Sequence, residues 1–218
     1  MIVVCGGTKG GTGKSTCAVN LAVIASDAAG ADVLLVDADD QESASDFTAL
    51  RNENREGGAG YTCIRLTGPA VRTELQRLAP KYDHVLIDTG GRDTTSQRAG
   101  LAIADILLVP FLPRSFDVWV IGTVAKIVEE MRAVNPELRA FAFLNRADPR
   151  GADNIEAAEV IRESELEFIE TPIVQRKAFA NAAAQGLAVT ELRTPDPKAT
   201  AEIMTLYQRV FKVEITLE

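Results

Sequence analysis

The stretch Gly6-Gly7-Thr8-Lys9-Gly10-Gly11-Thr12-Gly13-Lys14-Ser15-Thr16 constrains this chain more than any other. It follows a short apolar run, Ile2–Cys5, and precedes a pattern that reads as a helix over residues 14–29. A glycine-rich turn between a strand and a helix lets successive backbone N–H groups point inward around a phosphate. Glycine is required where torsions are unusual or where a side chain would block the ligand. In that arrangement Lys14 supplies a point charge to the β- and γ-phosphates of a nucleotide, and the Ser15 hydroxyl is placed to ligate Mg²⁺. The competing reading is a glycine-rich turn that holds nothing.

The rest of the chain supports a parallel sheet around that loop. Strands are predicted at Ile2–Cys5, Val33–Val36, Thr62–Leu66, His84–Ile87, Ile106–Val109 and Arg139–Leu144. Most are near-continuous apolar runs, as befits strands covered on both faces. Helices are expected near residues 42–53, 69–79, 94–103, 115–134, 152–164 and 176–185, with a last one from about Pro197 to Lys212. Asp153 and Ser115 stand where caps belong, and Pro69 suits a first helical turn. Alternating strand and helix implies an α/β fold, a mostly parallel twisted sheet with helices on both faces, built as one domain over residues 1–218. The loop-like Asn52–Gly60 reads as a connection within that domain.

Composition limits the function classes. The 218 residues carry 23 Lys+Arg against 31 Asp+Glu, a net charge of −8, which argues against coating nucleic acid by bulk charge. The longest apolar run, Ile106 to Leu112, contains Pro110 and is far short of the roughly 20 residues needed to span a bilayer. No basic segment followed by a long apolar stretch opens the chain, so no secretory signal is expected. Cys5, Cys17 and Cys63 cannot all pair and match no common zinc pattern, so a reducing cytoplasm is expected.

The loop departs from the ordinary Walker A pattern, which wants glycine where Thr8 stands, and carries the additional Lys9. Here KGGTGKST resembles the ParA/MinD family of deviant Walker A ATPases, whose signature is K-G-G-x-G-K-[ST]; it is nearest to small ParA-type (ParF-like) partition proteins. The resemblance implies a P-loop NTPase fold that binds ATP and ADP through Lys9, Gly10, Gly11, Thr12, Gly13, Lys14, Ser15 and Thr16. It gives Lys9 a particular role, reaching across an ATP-dependent homodimer to the partner's phosphates. A solvated loop lysine is the bland alternative.

Two acidic stretches extend the match. The run Asp37-Ala38-Asp39-Asp40-Gln41-Glu42-Ser43 compares with D-x-D-P-Q-x-S, with Asp40 replacing the usual proline. By resemblance Asp39 positions or activates the attacking water and sits near the Mg²⁺ shell, while Asp37 supports the phosphate loop from behind; for both, a loop-capping carboxylate is the alternative. His84-Val85-Leu86-Ile87-Asp88 is a Walker B arrangement whose terminal carboxylate holds Mg²⁺. Gly90 and Gly91 give the following loop the freedom of a phosphate-sensing switch. The candidate metal residues are therefore Ser15, Asp39 and Asp88, and the catalytic candidates Lys9, Lys14 and Asp39. Asn145, followed by Arg146, offers a donor and an acceptor to an adenine edge, as the family's Asn-Arg does; a loop-capping Asn is the alternative.

Other residues read as structural. His84 begins a buried strand, Trp119 shares a helix stripe with Phe116, Val120 and Thr123, and the cysteines look like small apolar fillers. They are not placed for the cluster of nitrogenase iron protein, a relative with the same loop.

Charge shifts along the chain. Residues 1–60 carry four basic and nine acidic side chains, whereas residues 171–213 carry six basic and three acidic. A two-fold dimer doubles that basic surplus, making Arg176, Lys177, Arg193 and Lys198 candidate contacts to DNA phosphates; a normally mixed surface is the alternative. The resemblance then implies an ATP-hydrolysing DNA-partition protein acting in plasmid or chromosome segregation. ATP closes the dimer, the dimer binds DNA non-specifically, and a ParB-type partner stimulates slow hydrolysis and release. Such a protein is cytoplasmic in a bacterium, and nucleoid-associated when ATP-bound. With Ile2 already in the first strand, no N-terminal helix-turn-helix domain is expected. The alternatives are a ParA-like positioner of protein cargo or an aid to DNA transfer. MinD-like membrane positioning fits less well, because Val210–Glu218 has one lysine and two glutamates and is no basic amphipathic helix. A dethiobiotin-synthetase-like enzyme generally lacks the early lysine.

Overall fold

The computed structural model describes residues 1–113 and 118–212, with nothing said of the side chains at 118 and 119. In chain order the elements are β1 (Ile2–Cys5), α1 (Lys14–Val23), β2 (Val33–Ala38), α2 (Ser43–Asn54), β3 (Thr62–Arg65), α3 (Ala70–Leu78), β4 (His84–Thr89) and α4 (Thr95–Leu101). They continue with β5 (Ile106–Phe111), α5 (Val118–Arg132), β6 (Arg139–Ala147), α6 (Asp153–Glu163), β7 (Glu167–Val174), α7 (Lys177–Ala183) and α8 (Pro197–Phe211). The seven strands form one parallel sheet in the order β3-β2-β4-β1-β5-β6-β7.

Alternate residues of each central strand feed two separate cores, which is why the strands are apolar throughout. Val3, Cys5, Leu35, Leu86 and Leu108 pack with α1, α2 and α8 on one face. Val4, Leu34, Val36, Ile87 and Leu107 pack with α3, α4, α5 and α6 on the other. The chain leaves β1 for β2 on one side and returns through β4 to β5 on the other. The carboxyl ends of β1, β2 and β4 therefore border a crevice at the switch in strand order, where open α/β sheets bind ligands.

Several expectations need correction. A seventh strand, β7, was not foreseen: at the sheet edge only Ile169 and Ile173 of it are buried, and Pro172 masks the strand signal in a place where an edge tolerates it. Helix α1 ends at Val23 and continues as a wider π turn, Ile24–Ala28. Asp153 is the first residue of α6 and not its cap; Ala152 holds that position without a side-chain bond. Pro69 stands just before α3 at the cap position. Ser115, Phe116, the Trp119 side chain and the tail 213–218 lie outside the described residues.

A fully buried arginine ties the two ends of the fold together. Arg51 of α2 bonds both oxygens of Glu191 at 2.7 and 2.8 Å, Asp27 at 3.0 Å, and the carbonyls of Ala59 and Gly186 at 2.8 and 3.1 Å. Gly186, with φ of 67°, lies so close to the Arg51 backbone that a β-carbon would come within 2.6 Å of the Arg51 nitrogen.

Candidate nucleotide-binding site

The glycine-rich loop is braced from beneath. Gly6 N–H donates to Leu108 of β5 at 3.1 Å, and Gly7 N–H donates to Gln97 Oε1 of α4 at 3.0 Å. The Thr89 hydroxyl lies 3.2 Å from the same Gln97 oxygen and 3.1 Å from the Cys5 carbonyl. Gly11 and Gly13 take φ of 74° and 97°, the left-handed region where a β-carbon is strained. Lys14 is buried, and its ammonium donates to the Lys9 carbonyl at 3.0 Å, across the turn of the loop. Burial pulls the Lys14 pKa down, against the pull of Asp88 and Asp39. Lys9 is half-buried, while Gly10 and Gly11 are exposed.

On the acidic side, Asp88 is fully buried and neither of its carboxylate oxygens finds a hydrogen-bond partner at bonding geometry among the described residues. The Ser15 hydroxyl lies near enough to favour the charged form, but desolvation dominates and pushes the carboxyl up to about 7, with Asp37 and Asp39 adding to the rise. A buried carboxylate without such a partner, near a loop hydroxyl and a lysine, has the chemistry of a cation ligand. No three His, Cys, Asp or Glu side chains converge as an all-protein metal cage among the described residues.

Asp37 takes the alternative role, that of a loop-capping carboxylate. Its Oδ1 accepts from Asp39 N–H at 3.2 Å and its Oδ2 from Ser45 N–H at 2.8 Å, so it caps α2 and shapes the loop carrying Asp39. It does not brace the phosphate loop. Asp39 in turn accepts from Gln41 N–H at 3.2 Å and faces the loop after β4, where a β-carbon on Gly90 would sit 3.2 Å from its Oδ1. Asp40 is exposed, and Glu42 takes φ of 55° while pairing with Arg65 at 2.7 Å. Gly91 rests directly on the Gly10 backbone, leaving no room for a β-carbon.

Two cavities flank the loop. One, of about 740 Å³, is lined by Lys14, Ser15, Asp39, Gly90, Arg92 and Arg146 among others. The second, about 270 Å³, lies on the β6–β7 side between Thr16, Cys17, Asn145, Ile173 and Phe179. Asn145 is buried and its amide donates to the Thr12 carbonyl at 2.6 Å, bracing the loop and bordering this second cavity. Register shifts in β6 and the φ of 52° at Arg146 turn Asn145 inward and leave Arg146 exposed, bordering both cavities.

The remaining candidates are spread over the C-terminal segment. Lys177, Arg193 and Lys198 are exposed. Arg176 is not available in the same way: it bonds Glu202 of α8 at 2.6 Å with Asp196 at 4.0 Å, so its charge is already answered. Sequence reasoning did not single out Gln97 or Arg92, and held loop-capping by Asn145 only as the alternative to base recognition. Only the run Gly90-Gly91-Arg92, a cation directly after a flexible pair, carried a signal for any of them.

A parallel sheet, a braced glycine loop with Lys14 and Ser15, and a buried Asp88 at the end of the adjacent strand define a P-loop nucleoside triphosphatase. The chain belongs to the CobQ/CobB/MinD/ParA nucleotide binding domain family, which it matches over residues 2–189, and within it has the ParA/MinD type of fold and loop. It is 34% identical over 206 residues to maintenance of carboxysome distribution protein A of Gloeobacter kilaueensis, covering 93% of this chain and 88% of that protein. The protein of the same name from Halothiobacillus neapolitanus is 27% identical over 203 residues, covering 93% and 92%. Among solved structures, the ATP complex of a Cyanothece McdA variant superposes with a TM-score of 0.78 at 18% identity, covering 100% of this chain and 98% of that one. Among the described residues no helix is long and apolar enough to cross a membrane.

Proposed function

We propose that this chain is an ATP-hydrolysing positioning switch. ATP with Mg²⁺ would bind at Lys9–Thr16, two copies would close over two nucleotides with each Lys9 reaching the other's phosphates, and the closed pair would hold DNA without reading its sequence. The observation that carries the reading is the buried, unpartnered Asp88 beside Lys14 and Ser15, under a loop that includes Lys9. Ser15 and Asp88 would hold Mg²⁺, which neutralises phosphate charge when bound. Asp39, on the same cavity, orients the attacking water. The water oxygen forms a bond to the γ-phosphorus as the β–γ bridge breaks. The electron pair leaves on ADP, and the water protons end on the released phosphate and in solvent. Asn145 is placed beside the apolar cavity that suits the base, with its Nδ2 already committed to Thr12.

The cargo reading we favour is a protein assembly, supported by the two relatives named for carboxysome distribution. The second reading is DNA partition with a ParB-type partner, supported by the ParA membership of the family and by the exposed Lys177, Arg193 and Lys198. A gel-shift assay with ATP, ADP or no nucleotide tests the shared chemistry, with Lys14→Ala as control. Unrelated duplexes should shift equally, only with ATP, and the shift should fade as salt rises. Binding that ignores nucleotide or salt would sink the proposal. Stimulation of turnover by a centromere-bound protein would favour partition over protein cargo.

A further inference from the structure

The loop that follows β4 is anchored at both ends. Gly90 faces Asp39, and Gly91 is seated on the Gly10 backbone of the phosphate loop. Two residues on, Asp93 makes a bidentate pair with Arg98 of α4, 2.7 Å in each bond, and Arg98 also bonds Glu130 of α5 at 2.8 Å. Arg92 stands between these anchors, exposed, and its side chain lines the cavity that also holds Lys14, Ser15 and Asp39. Two carboxylates, Asp39 and Asp40, line the same cavity, yet among the described residues Arg92 forms no ion pair. Its neighbours Arg98 and Arg65 are both paired.

An unpaired guanidinium in a phosphate cavity has a definite chemistry. Its planar fork matches two oxygens of a phosphoryl group. The location selects which phosphoryl group. Arg92 does not border the β6–β7 cavity holding Asn145; it lines the cavity where Lys14, Ser15 and Asp39 stand. We infer that Arg92 contacts the terminal phosphoryl group of the nucleotide held by its own chain, stabilises the charge that develops there during hydrolysis, and so distinguishes triphosphate from diphosphate. This rests on the ATPase reading above.

The test measures affinity for a non-hydrolysable ATP analogue and for ADP, each with Mg²⁺, by calorimetry, together with single-turnover hydrolysis. Wild type, Arg92→Ala, Arg92→Gln and Arg92→Lys are compared, with thermal melts confirming that each folds. Arg92→Ala should bind the triphosphate analogue at least roughly tenfold more weakly, keep its ADP affinity within about twofold, and hydrolyse about a hundredfold more slowly. Arg92→Lys should recover part of both losses. Equal weakening toward ADP and the analogue would mean general anion attraction and would overturn the inference. So would wild-type turnover in Arg92→Ala or Arg92→Gln. A wild-type chain that binds neither nucleotide would overturn the ATPase reading itself, and this inference with it.

Discussion

Asp88 carries the clearest single-residue consequence. Burial lifts its carboxyl to about 7 from an ordinary 3.8, so without metal the folded protein binds a proton that the unfolded chain releases. The sign follows from linkage: this contribution to stability is fully present below about pH 4 and is lost as pH rises through about 7. Metal-free protein should therefore lose roughly 2–4 kcal/mol from this group between pH 5 and pH 8. Asp88→Asn should remove that part of the slope in urea titrations and abolish Mg²⁺-dependent hydrolysis; an unchanged slope would contradict the assignment. Gly91 offers a steric counterpart. A β-carbon there meets the Gly10 backbone, so Gly91→Ala should displace the loop and lower triphosphate affinity, while Gly122→Ala, with open space around it, should cost little.

At the scale of elements, helix α2 is governed from both ends. Asp37 caps its first turn and sets the loop of Asp39, and Arg51 locks its far end to Asp27 and Glu191. Arg51→Ala leaves two carboxylates and two carbonyls facing a cavity and should cost about 3–5 kcal/mol in chemical denaturation. Asp37→Ala should cost about 1–2 kcal/mol, as lost caps do, and also slow hydrolysis by freeing Asp39. A hydrolysis rate unchanged in a folded Asp37→Ala protein would separate the cap from the site. These roles also show what the sequence could and could not display. The strands β1, β2, β4, β5 and β6 were legible because burial on both faces leaves continuous apolar runs, and the phosphate loop because its chemistry dictates its glycines. Gln97 was not legible in its bracing role, since a hydrogen bond to a backbone 90 residues away leaves no local pattern; for Asn145 loop-capping stood only as the alternative to base recognition, because its partner lies 133 residues away. Edge strand β7 hid because only two of its eight residues are buried, which leaves no apolar run.

For the whole molecule, the distribution of charge matters more than its total. Much of the acidic excess lies in residues 1–60, whereas Lys177, Arg193 and Lys198 stand exposed on the C-terminal segment. Replacing these three with Ala should weaken any ATP-dependent DNA binding uniformly across sequences. The same change should flatten its salt slope by about one unit for each DNA phosphate no longer neutralised. Adding Arg176 to the set should change little further at the DNA, because Glu202 already occupies it.

The position of β1 has a consequence for how the protein acquires its site. The strand that carries the phosphate loop is hydrogen-bonded only to β4 and β5, whose pairing residues come roughly eighty and one hundred residues later. During synthesis that segment must wait, several seconds at ordinary elongation rates, before any neighbour exists to receive it. Closing such wide loops is also the slow part of forming a parallel sheet. The binding loop is thus assembled by the arrival of distant strands, so capacity for nucleotide should emerge only once the chain has been made through β5, which ends at Phe111.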